Sequence, residues 1–115
     1  MEPINKSDLQ IAIDHLTGQR LYLHLETTNG AYATHHGEAK MNVGAYIRNA
    51  EIQYSRGKVA GEGPYRVGLK LEIGWVYAEG LTHWENDEKG RILIAGHDAD
   101  GKLAVALQLN PAPFE

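Results

Sequence analysis

The chain has no cysteine. That removes disulfides, thiolate zinc sites, iron–sulfur clusters and cysteine nucleophiles together, and it fits a reducing, cytoplasmic setting. Serine is almost as scarce. Ser7 and Ser55 are the only two, and neither lies in G-x-S-x-G, so a serine nucleophile of that type is excluded. There is no long hydrophobic run of the ~20 residues a membrane helix needs. The N-terminal MEPINKSDLQ lacks a signal-peptide pattern, so no membrane association is expected and the sequon Asn5-Lys6-Ser7 carries no weight. Positive charge is also short. Lys and Arg number 11 against 15 acidic residues, the net charge is −4, and the basic residues are scattered along the chain. Phosphate neutralisation needs clustered cations, so no nucleic-acid partner is expected.

What remains is ordinary globular composition, 43% hydrophobic and 23% charged, in 115 residues: a single domain, 1–115. Glycine is plentiful at 13, which points to many turns between short strands. Leu9, Ala12, Ile13 and Leu16 share one face of a helix, with Ser7 able to cap it, Gln10 completing a capping box and Gly18 ending it. Beyond Gly18 the period changes to two. Leu21, Leu23 and Leu25 alternate with Tyr22, His24 and Glu26. Asn29-Gly30 signals a tight turn. Val43, Ala45 and Ile47 alternate next, and Asn49-Ala50 leads into EIQYSRGKV as the return strand. Tyr65, Val67, Leu69 and Leu71 follow on one side, then a break at Ile73-Gly74. Asp87–Ile92 and Asp98–Leu103 repeat D-x-x-G-[RK]-apolar, the signature of a tight turn with glycine in the left-handed position. The expected fold is mainly β with one N-terminal helix. Seven or eight antiparallel strands form a distorted sandwich or a partly open barrel.

The stretch GEGPYRVG, residues 61–68, invites a nucleotide-binding reading. A dinucleotide fingerprint counted from Gly61 needs glycine at 66, where Arg66 stands. A P-loop ending at Gly68 needs Lys and Ser or Thr next, but Leu69-Lys70 follows. Pro64 and the alternation after it predict a strand, so no helix N-terminus is offered to phosphate. The stretch reads as a turn. His24-Leu25-Glu26 matches H-x-E of zinc deaminases without their Pro-Cys-x-x-Cys, and it reads as a polar strand face. Asp98-Ala99-Asp100-Gly101 lacks the closing Glu of a calcium loop. The six histidines show no metal-ligand spacing, although His24, His83 and His97 could meet in the fold. No metal, cofactor or catalytic residue is expected.

The residues best suited to recognition are aromatic and basic. Gly61, Gly63 and Pro64 fix the backbone before Tyr65 and Arg66, and a returning strand brings Trp75 and Tyr77 beside them. With Glu26 and Arg48 these form the candidate ligand- or partner-binding set, suited to a carboxylate-bearing ligand or an acidic partner loop.

The strings HLETTNGAY (24–32), AYIRNA (45–50), GPYRVGLK (63–70), GWVYAEGLT (74–82), AGHDADGKLAVALQL (95–109) and the closing NPAPF resemble the YojF-like family of Bacillus-type bacteria over nearly the whole chain. The resemblance implies a mainly β domain with no assigned activity, so no catalytic residue transfers. Genes of that family often lie beside one for an LmbE-type N-acetylglucosaminyl deacetylase of bacillithiol synthesis. The resemblance therefore implies such a deacetylase as partner. Two readings result. One is a small cytosolic binding or accessory protein, its oligomeric state open and a homodimer allowed. The alternative is a small-molecule binder or minor enzyme with a pocket near Glu26, Arg66, Trp75 and Tyr77.

Overall fold

A computed structural model describes residues 1–28 and 43–115. The expected turn at Asn29-Gly30 lies outside the described residues. In chain order the elements are β1 (Glu2–Pro3), α1 (Lys6–His15), β2 (Leu21–Thr28), β3 (Gly44–Ile52), β4 (Arg56–Ala60), β5 (Tyr65–Lys70), β6 (Trp75–Leu81), β7 (His83–Asn86), β8 (Ile92–His97) and β9 (Leu103–Asn110). They build a six-stranded sheet, β1-β7-β8-β9-β2-β3, and a three-stranded sheet, β4-β5-β6, antiparallel throughout. Neither closes on itself. The fold is mainly β with one N-terminal helix, as expected.

Alternation explains the core. On the three-stranded sheet Val59, Val67, Leu69, Val76 and Ala78 point inward and are buried. On the larger sheet Leu21, Leu23, Ile94, Leu107 and Leu109 face them. Each such aliphatic side chain contributes roughly 1.5–3 kcal/mol on burial. Leu9, Ala12, Ile13 and Leu16 of α1 complete the same core. The cap differs from expectation. Asn5, in extended conformation, is the N-cap and its Oδ1 accepts the Asp8 N–H at 3.1 Å; Ser7 already lies inside the first turn. Gln10 does not close a capping box. Its side chain donates to Gly57 O at 2.9 Å and accepts the Val59 N–H at 2.8 Å. Gln10 thus occupies hydrogen-bonding groups on the edge of β4, which would otherwise invite another strand.

Tyr54 ties the helix down. It is fully buried, and its hydroxyl donates to Ile13 O at 2.6 Å. Burial, reinforced by Asp14, raises its pKa far above the ordinary tyrosine range.

The step after β3 is a second correction. Asn49-Ala50 is not a turn into a return strand. β3 continues to Ile52 beside β2, with Asn49 as the extra residue of a bulge opposite Leu23 and His24. Asn49 takes φ 59, which asparagine tolerates better than most residues. The return strand β4 starts only at Arg56 and belongs to the other sheet.

The glycine stretch is a turn, with β4 ending at Ala60 and β5 opening at Tyr65. The two D-x-x-G-[RK] segments are hairpin turns, joining β7 to β8 and β8 to β9. Asp98 Oδ1 accepts the N–H groups of Asp100 and Lys102, and Gly101 has φ 78; Gly90 matches it at φ 77. Gly96 has a different role. A Cβ there would collide with the Gly80 carbonyl and approach Val105 Cγ1 at 2.6 Å. The two sheets meet at this point.

These two glycines separate backbone cost from packing cost. A Cβ on Gly101 would have no heavy atom of the described residues within 4 Å. Gly101→Ala is therefore expected to destabilise by about 1 kcal/mol, through the left-handed backbone alone. Gly96→Ala is expected to cost about 2–3 kcal/mol through overpacking. Urea unfolding of both variants checks the order, which equal losses would contradict.

Candidate functional site

The candidate residues fall on two surfaces. Tyr65, Arg66, Trp75 and Tyr77 belong to the three-stranded sheet, Glu26 and Arg48 to the larger one. The single pocket near Glu26, Arg66, Trp75 and Tyr77 is therefore divided between two sheets.

The first surface is the outer face of β4-β5-β6. Val67 and Leu69 turn inward, so their neighbours Arg66 and Lys70 turn outward; on β4, Arg56 and Lys58 do the same. Register aligns Arg56 with Lys70 and Lys70 with Trp75. It also aligns Lys58 with Gly68 and Gly68 with Tyr77. Trp75 is 66% exposed and Tyr77 54% exposed, which is unusual for rings of this size. Lys70 Nζ stands 5.5 Å from the Trp75 ring centroid, a cation–π contact. The Tyr77 hydroxyl donates to Glu79 Oε1 at 2.9 Å. Its pKa is raised, first by desolvation and then by Glu79, while Arg66 pulls the other way. Arg66 thus lies within electrostatic reach of Tyr77. Among the described residues Arg56, Lys58, Arg66 and Lys70 enter no ion pair. Tyr65, half-buried, packs against the core beside them.

Arg56, Lys58 and Lys70 are absent from the sequence-based candidate set. A signal existed: basic residues at alternate positions on two hairpin-linked strands fall on one face. It is hidden because EIQYSRGKV reads as one strand from Glu51, while β4 begins only at Arg56.

The second surface lies on the side of the larger sheet away from the core. A cleft of about 770 Å³ is lined by His24, Glu26, Thr27, Thr28, Gly44, Ala45, Tyr46 and Arg48. His24 Nε2 and Glu26 Oε1 are 3.0 Å apart. His24 is buried between Tyr46 and Phe114, and among the described residues its Nδ1 has no hydrogen-bond partner. Arg48 lies 4.7 Å from the Phe114 ring centroid and donates to Glu115 O at 2.9 Å. Asn49 clasps the same tail at two points, donating to Phe114 O at 2.8 Å and accepting its N–H at 2.7 Å. The bulge at Asn49 thus puts Arg48 on the cleft and anchors the chain end beside it.

Of the three distant histidines, two converge. His83 and His97 have Nδ1 atoms 3.3 Å apart, while His24 is engaged with Glu26 across the sheet. Among the described residues no three His, Asp or Glu side chains gather as a metal-ligand set, and no helix is long and apolar enough to cross a membrane.

The model of a family described as a protein of unknown function (DUF1806) matches residues 3–114. The chain belongs to that family. It is 51% identical over 114 residues to the uncharacterized protein YojF of Bacillus subtilis (strain 168), covering 99% of this chain and 98% of that one. The crystal structure of Bacillus subtilis YojF superposes with a TM-score of 0.83 at 46% identity, covering 99% of this chain and 96% of that chain. The family and the fold are thereby shown. The family's description assigns no function, so a functional reading has to come from the two surfaces.

The Asn49 clasp can be tested. Asn49→Ala removes two hydrogen bonds and places alanine at positive φ, so a loss of about 2 kcal/mol is expected. Asn49→Gly keeps the backbone accessible and should lose about 1 kcal/mol less. In both variants limited proteolysis should clip residues 111–115 faster. An unchanged cleavage rate would show that the clasp does not hold the tail.

Proposed function

We propose that this is a small, non-catalytic binding and accessory protein of the cytosol, working through the outer face of β4-β5-β6. One observation carries the reading. Exposed Trp75 and Tyr77 share an open face with Arg56, Lys58, Arg66 and Lys70, and Glu79 is the only carboxylate on those strands' outward positions. Exposed aromatic rings beside guanidinium groups are the composition of protein-docking hot spots. The occupant suited to four cations is an acidic protein surface. The family resemblance makes an LmbE-type deacetylase the partner to test first. A second reading, a small carboxylate-bearing ligand, is favoured by the cleft where Arg48 stands beside His24 and Glu26.

Calorimetric titration of the purified deacetylase against wild type, Arg66→Ala and Trp75→Ala tests the first reading. Each substitution should weaken binding by at least about tenfold, which is 1.4 kcal/mol. Folding stability should change by under about 0.5 kcal/mol, as for exposed positions without structural roles. Binding intact in both variants with stability lost would leave this face structural and end the proposal.

A further inference from the structure

We propose that His83 and His97 form an open binding site for a divalent transition cation such as zinc, ligated through the two Nδ1 atoms. The rings face one another across β7 and β8, with centroids 5.0 Å apart and planes at 73°. Their Nδ1 atoms are 3.3 Å apart. That is long for a hydrogen bond, whose heavy atoms lie about 2.7–3.2 Å apart. It matches a tetrahedral zinc site: with Zn–N of about 2.0–2.1 Å, two ligand nitrogens must stand about 3.3–3.4 Å apart.

Proton counting points the same way. His83 Nδ1 has a second close neighbour, Thr82 Oγ1 at 2.8 Å. A neutral imidazole offers at Nδ1 either one N–H or one lone pair. One such atom cannot form a full hydrogen bond with both neighbours. A cation between the rings would instead engage both Nδ1 lone pairs.

The pair is held by strands rather than loops. His83 is paired with Ala95 on β8, and His97 ends β8 at a bulge. Thr82 locks the two together: its N–H donates to Ala95 O at 2.9 Å and its Oγ1 accepts the His97 N–H at 3.1 Å. Strand-borne ligands held in this way are preorganised. Both histidines are only half-buried, so solvent can reach the site. With two imidazoles as protein ligands, water fills the remaining positions, and the bound metal is exchangeable. The two histidines are 14 residues apart, a separation no local motif reveals.

The test is a zinc titration of the full chain by calorimetry, comparing wild type, His83→Ala, His97→Ala and a His35→Ala/His36→Ala control. One zinc per chain is expected, with affinity weakened at least about tenfold in either single variant and unchanged in the control. Imidazole nitrogen NMR of the wild type gives a readout independent of variant folding: zinc should shift Nδ1 of His83 and His97. Absence of zinc binding, binding unaffected by both single substitutions, or binding lost in the control variant would each overturn the proposal.

Discussion

Two glycines let the sheets touch. β6 must pass over β8 and β9 before its chain turns through Thr82 into β7, and Gly80 packs against Gly96 on the way. No Cβ fits on Gly96 without meeting the Gly80 carbonyl. That contact decides how deeply Val76, Ala78 and Leu81 reach the inner face of the larger sheet. It also brings Thr82, the first residue beyond β6, against Ala95 and His97. The aliphatic core supplies most of the stabilisation, and the glycine contact sets the geometry in which that burial is achieved.

The helix closes the opposite flank by similar means. Gly57 leaves room for Ile13, Tyr54 reaches from below to the Ile13 carbonyl, and Gln10 fastens to β4. With α1 spent on the inner side and edge of this small sheet, the outer face of β4-β5-β6 faces solvent. The composition of that face is then the informative feature. Its strands carry outward four cations, two large aromatic rings and a single carboxylate, Glu79.

The chain's net charge of −4 gives no hint of this. Basic residues that are dispersed over 56–70 become one patch because each strand projects alternate residues outward and hairpin pairing lays the strands side by side. The same effect gathers His83 and His97, which sit at the ends of neighbouring strands, and sends His24 to another part of the sheet.

The sequence by itself determined the element types. The helix at Leu9–Leu16 was legible because its apolar residues recur at three and four. β2, β5 and β9 were legible because theirs recur at two, and the D-x-x-G turns because glycine at positive φ leaves a fixed signature. It also placed Arg66, Trp75 and Tyr77 on neighbouring strands, since β5 and β6 are joined by a short turn. Tertiary structure decided the rest. Asn49 read as a turn residue because asparagine suits both a turn and a bulge; only its clasp on Phe114 and the pairing with β2 distinguish them. Gln10 read as a cap because local spacing cannot see an edge strand 47 residues away. Glu26 was grouped with Arg66 although they lie on different sheets. Strand order depends on which apolar faces bury together, and that is a property of long-range packing rather than of any short stretch of chain.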